Sequence, residues 1–405
     1  MSSRPGQRQA LRGALAPVTA TLAIQVLMSM ATVALPVLAP AAAAGIGVPV
    51  AYVGLFVSLI YAASMACGLA SDVLVRRLGP LRVSQIGLLG GAAGLALAAS
   101  GSLPLVLCGA LLLGAGYGPV TPASSFILSR AAPPAHLSII FSIKQTGVPI
   151  GGMLAGAVLP AIVLWAGWRA AALAVALACL LTALLVQPLR AALDAERMPG
   201  TGFRAGGIQG PMRLLVTDRA SRRLALSSFF FAALQLSLVT YLVIYLTREL
   251  GFSLVQAGLM LAAAQAAGIA GRLLAGALAD RSGRPMQVLG VLGCAMGLSA
   301  LAAAQFSSHW PVWAMLLTCI AFGASAIGWN GVFLAEVARL APAGAVSAAT
   351  SAALFVTYAG ILTGPAVFAL LLAAGMAYGD AFMLIAAPAL VYGLALLRVP
   401  REAKA

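Results

Sequence analysis

Residues 276–284 read Gly-Ala-Leu-Ala-Asp-Arg-Ser-Gly-Arg, a short charged stretch that separates two long apolar segments. A related stretch, Gly-Leu-Ala-Ser-Asp at residues 68–72, occurs 208 residues earlier and also follows an apolar segment. A second set of landmarks keeps almost the same offset, 209 residues: Gly114, Arg130 and Pro133 recur as Gly323, Arg339 and Pro342. The nearly constant offset indicates that the chain is a duplication of one unit.

The composition is that of a membrane protein. Of the 405 residues, 62% are hydrophobic and 8% are charged, and the mean hydropathy is +1.04. A soluble protein of this length carries far more charge on its surface. A membrane-spanning helix needs about 20 apolar residues, and this chain has room for many such helices and for little else.

Twelve apolar segments divide evenly around one polar stretch that has the Pro, Gly and Arg content of a linker. We therefore predict an all-α integral membrane fold of twelve transmembrane helices in two pseudo-symmetric six-helix bundles. The N-terminal bundle is predicted at 1–190, a cytoplasmic linker at 191–221 and the C-terminal bundle at 222–405. The predicted helices are 13–40, 50–72, 82–100, 104–130, 137–165, 168–188, 222–247, 254–279, 286–305, 311–338, 345–374 and 379–398.

The positive charges predict how the chain is oriented in the membrane. The net charge of +15 would suggest nucleic acid as a partner of a soluble protein, but here the distribution of the charges matters more. All but four of the 24 Lys and Arg residues fall on one side of the predicted helices, and only Arg169 and Arg248 fall on the other. The positive-inside rule then places both termini in the cytoplasm of an inner membrane, and we expect no nucleic-acid partner.

The loop at 276–284 resembles the G-x-x-x-D-R-x-G-R signature of the major facilitator superfamily. The first copy, at 68–82, has about three extra residues before its last glycine, and the resemblance extends over essentially the whole chain. It implies two six-helix bundles that rock about a central substrate site. It also implies that the first, fourth, seventh and tenth helices line this site and that the fifth and eighth helices face each other across it.

The two charged loops are the predicted gates. Glycine permits close approach of helices, and an Asp at the end of one helix can pair with a nearby Arg or with the positive N-terminal end of another helix. Such contacts would hold the cytoplasmic faces together in one state and break in the other. The residues given this conformational role are Gly68, Asp72, Arg76, Arg77, Gly276, Asp280, Arg281, Arg284, Glu336 and Arg339. Glu336 is open to two interpretations, a proton carrier or a member of a gate-side ion network with Arg281 or Arg284.

Lys144 and Arg272 are the most informative residues because they lie inside apolar segments. A cation at a helix centre costs about 2.5–3.5 kcal/mol on insertion scales, and no carboxylate lies at similar depth in either segment. Two such cations would attract an anion, and Arg can bind a carboxylate through two parallel hydrogen bonds. Arg272, four residues before Gly276, also resembles the eighth-helix pattern of monocarboxylate and oxalate carriers. The alternative is that both side chains snorkel to the cytoplasmic surface or bond to backbone carbonyls.

Other polar and aromatic residues lie near the middle of predicted helices. Amide side chains can donate and accept hydrogen bonds, which suits an oxygen-rich solute, although hydrogen bonds between packed helices explain each of them equally well. The predicted substrate-binding residues are Arg272, Lys144, Gln145, Asn330, Trp329, Gln25, Tyr117, Gln235, Gln265 and Tyr358.

The sequence therefore predicts a secondary active transporter of a small solute, with a small organic anion such as a carboxylate as the leading substrate. The alternative is efflux of drugs or neutral metabolites, although Ala110 stands where drug/proton antiporters of the superfamily often carry Arg, four residues before Gly114. No paired carboxylates, nucleotide loop or metal-ligand spacing occurs, so we expect no enzyme activity, no catalytic residue, no metal and no cofactor. The expected partners are a small-molecule substrate, a coupling proton or counter-ion, and membrane lipid, and we expect a monomer.

Overall fold

The computed structural model describes residues 5–48, 52–198 and 218–398, and every regular element in these ranges is a helix. Ten helices are long and apolar enough to cross a membrane. One of them, the 60-residue run Pro134–Leu193, holds two spans because the chain turns at Gly167, where φ is 81° and ψ is 168°. A bent pair, Phe56–Leu69 and Ser71–Leu78, adds one more span. The described residues therefore contain twelve spans, which confirms the predicted fold class.

The first six spans have the following bounds. The first is Pro5–Ile46, the second is Tyr52–Leu69 with the short helix Ser71–Leu78 at its end, the third is Pro80–Ala99 and the fourth is Leu103–Ala131. The fifth begins with the helix Leu137–Gln145 and continues, after an interruption at Thr146, into the helix Gly147–Leu185. The turn at Gly167 divides this last helix into the rest of the fifth span and the sixth span.

The last six spans follow the same plan. The seventh is Arg219–Arg248, the eighth Leu254–Ser282, the ninth Pro285–Ala304, the eleventh Val346–Ala373 and the twelfth Tyr378–Leu397. The tenth span is broken into Val312–Ala326 and Asn330–Leu340. The observed bounds of the long helices lie within a few residues of the predicted ones except at the first span, where the described helix extends further at both ends.

Local sequence explains where several of these helices begin and end. The eighth span starts with a capping box between Ser253 and Gln256, and it ends at Gly283, whose left-handed conformation (φ 62°) suits glycine. The seventh span starts at Asp218, whose carboxylate accepts hydrogen bonds from the amides of Ala220 and Ser221. Burial alone would raise the pKa of Asp218, but these hydrogen bonds outweigh it and hold the pKa below its usual value.

The chain divides into two compact units that correspond to the two halves of the sequence, except that each unit also contains one short segment from the other half. One unit takes in Met1–Pro134, Ile143–Leu214 and Ala341–Phe355, and the other Ala135–Ser142, Leu215–Leu340 and Val356–Ala405. The start of the fifth span therefore belongs to the second unit, and the start of the eleventh belongs to the first. Residues 199–217 of the predicted linker lie outside the described residues, so the predicted domain boundaries stay a prediction.

Candidate substrate and gating sites

Lys144 lies in the first unit and is held by three neutral oxygen atoms. Its side chain is 1% exposed. The ammonium donates to Gln25 Oε1 at 2.7 Å, to Gln145 Oε1 at 3.0 Å and to Thr121 Oγ1 at 3.4 Å. The first, fourth and fifth spans each supply one of these oxygens, which explains how an apolar bundle holds a charged side chain. We call Gln25, Thr121, Lys144 and Gln145 the lysine cluster.

The lysine cluster is itself cross-connected. Thr121 Oγ1 donates to Gln25 Oε1 at 3.3 Å, and the amide nitrogen of Gln25 donates to Ser29 Oγ at 3.2 Å. The cluster lies beside the interruption of the fifth span at Thr146. The lysine cluster is therefore a polar centre next to a local break in the helix, inside a span that is otherwise apolar.

Arg272 lies in the second unit and binds the end of a half-helix. Its guanidinium is buried (2% exposed), and Nε donates to the carbonyl oxygen of Ile327 at 2.8 Å. Ile327 is the residue that ends the helix Val312–Ala326, where the tenth span breaks. The carbonyl end of a helix carries partial negative charge, so the break stabilises the buried cation. Bonding to a backbone carbonyl is one of the alternatives that the sequence left open for this side chain.

A close approach between backbones makes this contact feasible. A Cβ atom built on Gly271 would come within 2.9 Å of the Ala324 backbone, so the eighth and tenth spans can approach this closely at that point because residue 271 is glycine. The break in the tenth span was not predicted from the sequence. The signal was present in Gly328-Trp-Asn-Gly331, a stretch with two glycines and an asparagine that is typical of a helix interruption.

The seventh and tenth spans share an amide cluster made of Gln235, Trp329 and Asn330. Gln235 Oε1 accepts from Trp329 Nε1 at 3.0 Å and from Asn330 Nδ2 at 3.2 Å. The indole of Trp329 is fully buried and packs edge-on against Phe231 and Phe333. Trp329 is therefore part of the core of the second unit.

The remaining predicted substrate residues lie at other places in their spans. Tyr117 and Tyr358 are buried, and Gln265 is partly exposed. Of the ten predicted substrate residues, the structure joins Gln25, Lys144 and Gln145 in one cluster and Gln235, Trp329 and Asn330 in another. Ser29 and Ser142 are buried polar residues near these sites that the sequence analysis did not single out.

Asp280, at the end of the eighth span, caps the start of the fifth span within the second unit. Its two carboxylate oxygens accept from the backbone amides of Ser138 at 2.9 Å and Ile139 at 2.8 Å. These amides belong to the first turn of the helix Leu137–Gln145, where N–H groups have no partner inside the helix. A Cβ atom on Gly276 would come within 2.9 Å of Ile139 Cα, so the glycine sets the distance between the two helices.

The first copy of the motif, in the first unit, is arranged differently. Asp72 pairs with Arg76 (Nε to Oδ2, 3.0 Å), and Arg76 Nη2 donates to the carbonyl of Gly344 at 3.1 Å, just before the eleventh span. The other oxygen of Asp72, Oδ1, is buried and has no hydrogen-bond partner among the described residues. The nearest atom to a Cβ on Gly68 is Gly118 O, at 3.7 Å. The two copies of the motif therefore make different contacts, since Asp280 caps a helix whereas Asp72 pairs with an arginine.

Glu336 and Arg339, at the end of the tenth span, form a bidentate ion pair. Arg339 Nε donates to Oε2 at 2.8 Å and Nη2 to Oε1 at 2.6 Å, and Glu336 is 2% exposed. Arg77, Arg281 and Arg284 are exposed, and Arg284 Nη1 donates to Gln287 Oε1 at 3.4 Å. The sequence predicted Arg281 or Arg284 as the partner of Glu336, whereas this ion pair is with Arg339, so the predicted network stays a prediction.

Comparisons with known proteins agree with this architecture. The chain is 37% identical over 84 residues to the uncharacterized MFS-type transporter YttB of Bacillus subtilis (strain 168), a match that spans 21% of each chain. Its fold is similar to those of the E. coli fucose:proton symporter FucP (TM-score 0.72, 16% identity, 96% of this chain and 100% of that one) and the proton:xylose symporter XylE (0.73, 17%, 95% of each). The human organic anion transporter MFSD10 has a TM-score of 0.76 at 20% identity, over 97% of this chain and 100% of that one.

The family is shown by a match to a sequence profile. The profile described as Major Facilitator Superfamily matches residues 21–365, which is most of the chain. Members of this family and the structural neighbours named above are transporters rather than enzymes. The twelve apolar spans, the duplicated loop motif and the profile lead to one conclusion: the chain belongs to the major facilitator superfamily and is a multi-pass membrane protein of the secondary-transporter class.

Proposed function

We propose that this transporter moves a small organic anion, such as a mono- or dicarboxylate, by alternating access. The observation that carries the proposal is the burial of two cations in apolar spans, Lys144 at 1% and Arg272 at 2% exposure. Each costs about 2.5–3.5 kcal/mol to place in a membrane. An anionic substrate would offset that cost at the moment of binding.

Arg272 can exchange its backbone carbonyl partner for the carboxylate of a substrate. A guanidinium has five N–H donors in a planar fork, and the Ile327 carbonyl takes one of them. A carboxylate bound to this fork would make charge-assisted hydrogen bonds, which are about twice as strong as neutral ones. We propose that substrate binding weakens the hold of Arg272 on Ile327 and so alters the break in the tenth span.

Lys144 would act as an oriented point charge. Three neutral oxygens, those of Gln25, Thr121 and Gln145, hold the ammonium in position. A carboxylate oxygen that replaces the weakest of these contacts, Thr121 at 3.4 Å, would gain a charge-assisted hydrogen bond. In this proposal Gln25 and Gln145 support the binding residue and do not themselves select the anion.

The charged loops would act as gates that open and close during each cycle. The cap of Asp280 on the fifth span and the contact of Arg76 with Gly344 are the interactions that we propose must break and re-form. We further infer that the protein lies in a bacterial inner membrane with both termini in the cytoplasm. The support is the sequence distribution of its Lys and Arg residues.

The test is anion uptake by purified protein in proteoliposomes, with labelled mono- and dicarboxylates. We expect Arg272→Ala to lower uptake at least about tenfold, because losing one charge-assisted hydrogen bond costs about 1.5–3 kcal/mol. Arg272→Lys should retain an intermediate rate, since it keeps the charge but not the fork. An imposed proton gradient and an internal anion load, applied separately, identify the coupling partner.

Arg169→Ala is the matched control. Arg169 Nε also donates to a carbonyl at the end of a helix, Ala99 O at 3.1 Å. Arg169, however, lies at the start of the sixth span, just after the turn at Gly167. If Arg272→Ala folds as judged by gel filtration and transports anions at the wild-type rate, the anion proposal is wrong. Equal losses in both variants would instead point to a general effect on stability.

A neutral polar solute is the second candidate, and the amide cluster favours it. Gln235 and Asn330 present donors and acceptors of the kind that hydroxyl groups need, and two of the structural neighbours are named as sugar symporters. This alternative predicts uptake of a sugar or polyol that depends on Gln235 and Asn330. It also predicts that such uptake is indifferent to Arg272→Lys.

A further inference from the structure

The chain that follows the sixth span docks tightly on the first unit. Asp194 is 4% exposed, and its carboxylate accepts from the amides of Leu81 at 2.7 Å and Arg82 at 3.1 Å. These amides lie in the first turn of the third span. Gly79, with φ 93°, leaves the space that the carboxylate fills, since a Cβ atom there would overlap it. We call residues 187–198 the strap.

Two more contacts fix the far end of the strap. The amide of Met198 donates to the carbonyl of Arg76 at 2.6 Å, and Glu196 forms an ion pair with Arg130 at the end of the fourth span. The strap therefore joins the third span, the fourth span and the short helix that carries Arg76. It is a fixed element of the first unit and not a loose end of the sixth span.

The strap borders a cavity of about 470 Å³ that carries an excess of positive charge. Its lining includes Arg190 and Arg197 against the single carboxylate of Asp194. That carboxylate already serves two backbone amides and lies 3.5 Å from Arg190 Nε. Arg197 is exposed and Arg190 is partly exposed, so both guanidinium groups can reach a bound anion.

The cavity continues an apolar stripe on the sixth span. Leu181, Leu184 and Leu185 are 50%, 69% and 78% exposed, which in a spanning helix is the exposure expected of lipid-facing side chains. Pro188 and Ala191 extend the same exposed face into the lining of the cavity. An acyl chain that lies along the leucines would therefore place its headgroup at the arginines.

We propose that this cavity binds the phosphodiester headgroup of an anionic glycerophospholipid. Arg190 and Arg197 donate to the phosphate oxygens, and Leu184 and Leu185 pack against the acyl chain. Because the strap also holds the third span and the short helix that carries Arg76, the bound lipid stabilises the end of the first unit where the proposed gate lies.

The test compares lipids of different headgroup charge on the full-length protein. Phosphatidylglycerol is titrated into the detergent-solubilised protein, and unfolding is followed by the melting temperature. We expect phosphatidylglycerol to raise Tm by about 3–6 °C more than phosphatidylcholine does, by mass action on the folded state. The apparent affinity of Arg197→Gln should fall about fivefold, the effect of one arginine near an anionic lipid surface.

A second variant and a control keep the test decisive. Ala191→Phe fills the cavity but keeps both arginines, and we expect it to abolish the difference between the two lipids. Arg223→Gln removes a cation from the start of the seventh span and should leave the difference unchanged. The proposal is overturned if Ala191→Phe and Arg197→Gln both respond to phosphatidylglycerol as the wild type does. It is also overturned if inorganic phosphate or glycerol phosphate alone gives the full shift, which would indicate a site for a soluble anion.

Discussion

At the scale of single residues, Ser142 lies where the fifth, eighth and tenth spans meet. Its side chain is fully buried, and Oγ has no hydrogen-bond partner among the described residues. Cβ atoms on Gly276 or Gly331 would collide with this side chain, so both glycines make room for it. A buried hydroxyl without a partner costs about 1–3 kcal/mol. Ser142 is therefore a destabilising group at a point where helices of the second unit pack closely.

Ser142→Ala should stabilise the protein by about 1 kcal/mol, because it removes the unpaired hydroxyl and keeps the Cβ that fills the space. The measurement is unfolding in detergent by a denaturing surfactant. Ser228→Ala is the control, since the Ser228 hydroxyl lies 2.8 Å from Thr357 Oγ1 and its loss should destabilise by a similar amount. A decrease in stability for Ser142→Ala would mean that its hydroxyl has a partner after all.

At the scale of helices, hydrophobic length predicted the spans well because each crossing must contain about 20 apolar residues whatever its tertiary contacts. The eighth span was predicted at 254–279 and is Leu254–Ser282. The third was predicted at 82–100 and is Pro80–Ala99. The sequence also identified Lys144 and Arg272, since a charge in an apolar run can be recognised without knowing its neighbours.

Breaks within spans could not be predicted in the same way. The interruptions at Thr146 and at 327–329 lie inside apolar spans, so hydrophobic length does not reveal them, and only the glycines and asparagine at 328–331 indicate the second one. The difference between the two motif copies was also missed, because the sequence repeat implies equal roles for Asp72 and Asp280. Only the folded chain distinguishes a carboxylate that caps a helix from one that holds an arginine.

The contact between the fifth and eighth spans depends on the absence of a side chain at residue 276. We expect Gly276→Ala to destabilise the second unit by about 1–3 kcal/mol, because its Cβ would overlap backbone atoms of Ser138 and Ile139. The readouts are surfactant-induced unfolding and the transport rate, which should both fall.

Gly258→Ala in the same helix is the matched variant. No atom lies within 4 Å of a Cβ at that position. The substitution should therefore stabilise the helix by about 0.5–1 kcal/mol through its better helix propensity. Effects of the same sign at both positions would contradict the packing argument.

At the scale of the whole molecule, a chain of twelve spans has only two possible orientations in the membrane. An even number of crossings puts both termini on one side, and the positive-inside rule predicts that this is the cytoplasmic side. The prediction concerns the chain as a whole because no single loop determines it. The prediction rests on the Lys and Arg residues, nearly all of which lie on one side of the predicted helices.

A fluorescent protein fused after Ala405 should therefore fluoresce in a bacterial host, and alkaline phosphatase fused at the same place should be inactive. Fusion after Gly101, which follows three spans, is the internal control and should give the reverse pattern. An active phosphatase at the C-terminus would show that the orientation is inverted or that the number of crossings is odd.

The burial of Trp329 gives the protein an optical reporter of its own. The chain has five tryptophans. Trp329 has no exposed surface and its indole N–H is bound to Gln235, whereas Trp165 is 82% exposed. In a variant that keeps only Trp329, emission should be blue-shifted and shielded from aqueous quenchers. A solute that binds the Gln235 oxygen in place of the Trp329 indole would shift the emission wavelength. Tryptophan fluorescence would then report the binding of an unlabelled substrate.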